Sequence, residues 1–209
     1  MRIVATALVV FLLLLIGELW WRKQKLNTEF TRKFVHITVG TFVAFWPFFL
    51  TWQEIRFLSL AFLIVVGASK YLKVFRAIHT VQRPTWGELF FALAVGAVTF
   101  ITQDKWIYAA ALLQMSLADG FAAVMGTRYG QRFRYIVFGH AKSILGTFTF
   151  LVVSAAILAW FARESGQHLK WTFILDLSVV ASMIENVGVA GLDNLLVPVV
   201  VAAALQFLT

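Results

Sequence analysis

Long apolar runs alternate with short polar connections along nearly the whole chain. Eight spans can be drawn, approximately Ile3–Trp21, Phe34–Leu50, Ile55–Leu72, Glu88–Thr102, Trp106–Met125, Ser143–Phe161, Trp171–Val187 and Leu195–Leu208. About 20 apolar helical residues cross roughly 30 Å of hydrocarbon. Several of these spans are near the short limit, so seven crossings is the alternative to eight. Backbone polar groups in lipid must be satisfied within each segment, which favours helices. The pattern predicts an all-α, polytopic transmembrane bundle in which 1–209 is one integral-membrane domain.

The polar positions orient that bundle. Arg22, Lys23, Lys25, Arg32 and Lys33 fall in the first connection, Lys70, Lys73, Arg76 and Arg83 in the third, and Arg128, Arg132, Arg134 and Lys142 in the fifth. The opposite connections and ends hold Arg2, Lys105, Arg163 and Lys170, with Arg56 just inside a span. Lys and Arg accumulate on the cytoplasmic side. Both termini are therefore expected outside and the three basic connections in the cytoplasm. The first span reads as a retained signal anchor, since basic residues follow it and no small-residue cleavage site does. Trp20, Trp21, Trp52, Trp86, Trp106 and Trp171 at span ends fit an interfacial aromatic belt.

Composition agrees and removes other classes. Of 209 residues, 61% are hydrophobic and 13% charged, with a mean hydropathy of +0.84; soluble domains are not built this way. The net charge of +8 is spent in topology-setting loops, so nucleic acid is not an expected partner. The absence of cysteine removes disulfides, thiolate metal sites and a cysteine nucleophile.

One residue breaks the apolar pattern. Asp119 lies inside the run Leu112–Met125, and a charge at membrane depth costs roughly 3 kcal/mol on insertion scales. It must face the protein interior or a wet cavity. Ala122, Gly126 and Gly130 follow it at helical spacing, then the basic connection, then Lys142-Ser143 with Gly146-Thr147 at the opening of the next run. A buried carboxylate, a glycine-bearing helix end and clustered cations suit a metal-bound phosphate. Gly126-x-x-x-Gly130 also fits a helix-packing seam, although a seam does not require Asp119. Lys142 is expected where the N-terminal amides of a helix favour an anion.

Three further polar segments face the same side. In Arg32-Lys33-x-x-His36-x-x-x-Gly40, Arg32, His36 and Gly40 share one helix face. His36 is open to orienting a phosphate, accepting a hydroxyl proton or making a packing hydrogen bond. Arg83-Pro84-Thr85-Trp86-Gly87-Glu88 is a tight turn into a helix, with Arg83 a candidate phosphate clamp. Glu88 there is accounted for by the helix dipole. Glu185-Asn186 and Gly191-Leu192-Asp193-Asn194 add two carboxylates and amides that, with Asp119, would complete an oxygen-rich Mg²⁺ site. Asp176 has no evident partner. Phosphate-loop, kinase catalytic-loop, nucleophile-elbow and zinc-protease motifs are missing.

These segments, in this order, resemble the dolichol kinase and phytol kinase family, which includes CTP-dependent diacylglycerol kinases and is similar to membrane cytidylyltransferases. The matching residues are Arg32-Lys33-x-x-His36, Arg83 to Glu88, Asp119 with Gly126 and Gly130, Lys142-Ser143-x-x-Gly146-Thr147, and Glu185 with Asp193-Asn194-x-x-x-Pro198. They cover most of the chain after the first span. The chain is shorter than larger members, which implies a catalytic core and little else.

The resemblance implies transfer of the terminal phosphate of a nucleoside triphosphate, typically CTP, to a lipid alcohol such as polyprenol, dolichol, phytol or diacylglycerol. Asp119 would hold Mg²⁺ with Asp193 and Glu185. Lys142, Arg134 and Arg83 would neutralise the triphosphate, with Arg32 and Lys33 contributing. Gly126 and Gly130 would let backbone approach it, beside Ser143, Gly146, Thr147 and Asn194. The base is His36 or a carboxylate. The expected partners are the lipid alcohol, the nucleotide and membrane lipids; oligomeric state is not legible. Two rivals are a membrane CTP:phosphatidate cytidylyltransferase, which would release pyrophosphate, and a small ion- or proton-coupled transporter, expected to show inverted repeats and midplane charge.

Overall fold

Each expected span is a helix. The computed structural model describes residues 1–24, 28–72 and 86–208. Helices α1 (Arg2–Gln24), α2 (Thr28–Ala44), α3 (Trp52–Leu72) and α4 (Gly87–Ile101) precede a long central helix. That helix runs as α5 (Lys105–Leu113), a π-helical turn (Gln114–Ala118) and α6 (Asp119–Tyr129). After a two-stranded hairpin come α7 (Ile144–Ser165), α8 (Trp171–Val187) and α9 (Asp193–Leu208). Among the described residues the fold is all-α apart from that hairpin. Arg83 lies outside the described residues, as does the side chain of Arg32.

Local chemistry marks the helix ends. Thr51 and Glu54 form a capping box at the start of α3, the Thr51 amide donating to Glu54 Oε2 at 2.7 Å. Asp104 caps α5 by accepting from the Trp106 and Ile107 amides at 2.7 and 3.0 Å. Helix α7 starts behind Ser143 and stops at Gly166 in the left-handed conformation, φ +70°.

The core is centred on α5, in which every residue from Ile107 to Leu113 is buried. It packs against α2, α7 and α9, while α3 lies on α4 and α6 on α7. Among the described residues two helices, Lys105–Arg132 and Ile144–Ser165, are long and apolar enough to cross a membrane; Arg2–Gly17, Gly87–Ile101 and Asp193–Leu208 are shorter apolar helices. The first of the two is enclosed by its neighbours, whereas much of α7 is exposed.

The hairpin was not expected. The basic connection folds as β1 (Arg134–Val137) and β2 (His140–Ser143), antiparallel, with Tyr135 opposite Lys142. Tyr, Ile and Val favour a strand and Phe138-Gly139 makes the turn. In a segment read for charge alone, that signal was passed over.

Candidate functional site

The π-helical turn sets the position of Asp119. One such turn inserted in a helix rotates everything that follows, and these turns recur at functional sites. Here it is wedged between two contacts from α2. Gly40 admits Ser116, since a Cβ on Gly40 would lie 2.5 Å from the Ser116 Cβ. His36 Nε2 donates to the Met115 carbonyl at 3.0 Å. A carbonyl only accepts, so the Nε2 proton is fixed on that side of the ring. The edge of the ring also meets Phe91 at a centroid distance of 5.5 Å. Of the roles left open for His36, the packing hydrogen bond is the one observed.

Asp119 follows directly and is buried. Lys33, one turn before His36 on α2, donates to both of its oxygens, at 2.9 and 2.7 Å. His36 Nε2 lies 3.6 Å from Asp119 Oδ2. The charge that the apolar run could not accommodate is thus neutralised by a lysine from another helix.

Glu185 and Asp193 converge on the same place from α8 and α9. The connection between them is a close-packed turn. A Cβ on Gly188 would lie 2.6 Å from the Asp193 Cβ, and Gly191 (φ +91°) would strike the Gly87 backbone at 2.5 Å. The Trp86 amide donates to the Ala190 carbonyl at 2.9 Å, and Asn194 Nδ2 to the Gly87 carbonyl at 3.1 Å. The Trp86-Gly87 part of the second segment therefore fastens the start of α9 to the start of α4. Asn194 is committed to that fastening through its amide nitrogen. Asp176 is exposed on α8.

One ligand oxygen from each of Asp119, Glu185 and Asp193 lies within 4.8 Å of the other two. These are hard, anionic donors on three separate elements, the type Mg²⁺ takes. Asp193 Oδ1 and Asn194 Oδ1 are buried and make no hydrogen bond among the described residues, although buried acceptors normally find a partner. Lys33 and Lys142 pair with two of the three carboxylates, Asp119 and Glu185, and Asp193 makes no ion pair among the described residues. The residues fit a divalent cation.

The Lys142 to Thr147 element is placed differently from the sequence reading. Lys142 is in β2, not at a helix N-terminus. It donates to the Glu185 carboxylate at 2.5 Å and carbonyl at 2.9 Å. Burial works against its charge, and the surrounding carboxylates, Glu185 first and then Asp193 and Asp119, together outweigh this and raise its pKa above the ordinary lysine value. The first amides of α7 are also occupied. Ile144 donates to the Phe133 carbonyl at 3.1 Å and Gly146 to Ser143 Oγ at 3.0 Å. Ser143 is the helix cap, and Thr147 meets Tyr135 and Asn186 through their side-chain oxygens.

Gly126 and Gly130 form the packing seam that their spacing also allowed. Cβ atoms there would lie 2.7 and 2.5 Å from Ser143 Oγ, and one on Gly146 would lie 3.0 Å from the Ala122 carbonyl. Small residues let α6 and α7 touch backbone to backbone. Gly130 is filled by Ser143 and does not face the cavity; Gly126 still borders it.

That cavity, about 420 Å³, gathers the rest: Lys33, Asp119, Arg134, Lys142, Thr147, Glu185, Asp193 and Asn194 all line it. Tyr135, which joins the hairpin to Thr147 and Asn186, escaped sequence reasoning because a tyrosine in a basic loop carries no signal until the loop pairs.

An all-α chain with a carboxylate cluster braced by lysines defines the class. Comparison with known proteins gives the family. The chain is 31% identical over 192 residues to phytol kinase of Synechocystis sp., covering 88% of this chain and 81% of that protein. It is 26% identical to phytol kinase 1, chloroplastic, of Arabidopsis thaliana, covering 94% and 73%, and 26% to a probable phytol kinase 1, chloroplastic, of Glycine max, covering 89% and 69%. No family model and no solved structure matches. The chain belongs to the phytol kinase family, as the ordered motifs implied.

Proposed function

We propose that this protein is an integral-membrane lipid kinase that moves the terminal phosphate of a nucleoside triphosphate, CTP by preference, to the hydroxyl of a lipid alcohol. Its helices form a polytopic bundle with the cavity at the cytoplasmic face and both termini on the other side. The observation that carries the reading is the convergence of Asp119, Glu185 and Asp193 beside Lys33 and Lys142 in one cavity of a phytol kinase relative.

In the reaction the lipid hydroxyl oxygen bonds to the terminal phosphorus and the bridging P–O bond breaks. The hydroxyl proton is released and the nucleoside diphosphate leaves. Such transfers need positioning and charge neutralisation more than covalent help. Asp119, Glu185 and Asp193 would hold Mg²⁺, which when bound would supply charge neutralisation for the triphosphate. Lys33, Lys142 and Arg134 line the cavity and meet the phosphate oxygens. Glu185 keeps Lys142 charged and aimed, and the Asn194–Gly87 hydrogen bond keeps Asp193 in register. With its Nε2 proton engaged by Met115 and its ring outside the cavity lining, His36 serves to hold Asp119; the proton goes to a cavity carboxylate or to water.

The test is label transfer from γ-labelled CTP, with ATP in parallel, to phytol, polyprenol and diacylglycerol by purified protein with Mg²⁺. A labelled lipid phosphate, lost in D119N, is the expected outcome. Pyrophosphate release with phosphatidic acid and no labelled lipid would replace the kinase with a cytidylyltransferase.

A further inference from the structure

The hairpin carries apolar side chains that the chain's own packing does not use. Phe133, Ile136 and Phe138 are 63%, 77% and 73% exposed. Phe138 also sits where turn chemistry asks for another residue. Between the paired Val137 and His140, both central residues have positive φ, +46° at Phe138 and +78° at Gly139. Two-residue turns of this kind take Asn-Gly or Asp-Gly, and a bulky left-handed residue is strained. Burial of the ring among the described residues does not offset that strain.

This surface runs on into α7. The Ile144–Phe133 backbone hydrogen bond sets Phe133 beside the first turn of that helix. There Ile144, Phe148 and Val152 are exposed at i, i+4 and i+8, one continuous stripe. Helix α7 is long and apolar enough to cross a membrane. Cations alternate with the aromatics: the Arg128 guanidinium lies 5.4 Å from the Tyr129 ring, and that of Arg132 5.7 Å from the Phe133 ring. No acidic residue occurs between Asp119 and Glu164.

We propose that the hairpin is an interfacial anchor. Phe133, Ile136 and Phe138 enter the boundary between headgroups and acyl chains, while Arg128 and Arg132 bind the phosphates of anionic lipids around it. A bilayer surface fits better than a protein partner because aromatic and cationic residues alternate as they do at membrane interfaces. The apolar stripe also continues into a helix of spanning length. The inference rests on α7 crossing the bilayer, part of the proposed function, and not on the phosphoryl chemistry. It places the cavity wall formed by Arg134 and His140–Ser143 at headgroup depth, where a lipid hydroxyl resides.

The chain has no cysteine, so F138C accepts a single environment-sensitive fluorophore, with I136C as a second position. The labelled full chain is reconstituted in phosphatidylcholine vesicles with or without phosphatidylglycerol. We expect nitroxide-bearing lipid to quench the label strongly in the anionic vesicles. Each of R128Q and R132Q should lower the inserted-to-free ratio about fivefold. A label quenched by aqueous iodide and not by the lipid nitroxide, at both positions, overturns the anchor. Equal lipid quenching in neutral and anionic vesicles, unchanged by R128Q and R132Q, overturns the headgroup assignment. The readout is fluorescence and not turnover, so its failure is distinguishable from failure of the kinase reading.

Discussion

Lys33 Nζ donates to both oxygens of Asp119, at 2.9 and 2.7 Å, across 86 positions of sequence. Both side chains are nearly buried, so each charge depends on the other. Removing one partner of such a pair costs about 3–5 kcal/mol, because the remaining charge is stranded. K33M should therefore unfold well below the parent in detergent. D119N keeps the shape but can accept only one of the two Lys33 hydrogen bonds and leaves the lysine charge unpaired. It too should unfold below the parent, and it should lose about 100-fold or more in lipid phosphorylation. Equal stability of K33M and parent would contradict the pairing.

Asp193 offers a different signature. Its Oδ1 is buried without a partner among the described residues, a group positioned at a folding cost. D193N should leave thermal stability unchanged or higher, while Mn²⁺ binding to the nucleotide-free protein, followed by electron paramagnetic resonance, weakens about 10-fold or more. Unaltered Mn²⁺ affinity would remove Asp193 from the ion site.

The His36–Met115 hydrogen bond separates a positioning role from a base. H36Q can still donate a proton to the Met115 carbonyl; H36A leaves that acceptor unsatisfied, at about 1–3 kcal/mol. H36Q should retain most of the turnover and the pH profile, and H36A should lose stability. A base would be lost equally in both variants.

Lys142 gives a pH dependence with a definite sign. Burial opposes its charge, but the neighbouring carboxylates, Glu185 foremost, raise its pKa above 10.5. Stability from a raised lysine is fully present below the unfolded pKa and disappears as pH climbs through the folded one. E185Q should thus unfold at lower temperature than the parent by a constant margin through neutral and mildly alkaline pH. That margin should close above pH 10.5. A gap that persists at strongly alkaline pH would mean packing, not the ion pair.

The glycine seam is testable by coupling. G130A places a methyl 2.5 Å from Ser143 Oγ and should cost about 1–3 kcal/mol by overpacking. S143G empties that space at a loss of only a few tenths of a kcal/mol as a helix cap. The double variant should therefore be more stable than the sum of the two losses predicts. Strict additivity in thermal unfolding would place Gly130 elsewhere.

The sequence alone determined the helices, because apolar periodicity and length are local properties. Trp171–Val187 matches its helix to the residue, most other spans lie within about four residues, and Phe34–Leu50 is displaced from its helix, Thr28–Ala44, by six residues at each end. It also marked Asp119, since a carboxylate in an apolar run has to find a partner. The ordered motifs led to the family, and Glu185 and Asp193 were legible as donors by residue type. Partner choice was not legible. That Asp119 takes Lys33, that Lys142 takes Glu185, and that Gly130 receives Ser143 instead of a ligand are decided by helices packing tens of residues apart. The π-helical turn and the hairpin were hidden for the same reason: neither is stable by itself. The turn exists where Gly40 and His36 press on the central helix, and the hairpin where Tyr135 and Lys142 find partners on the two helices that follow.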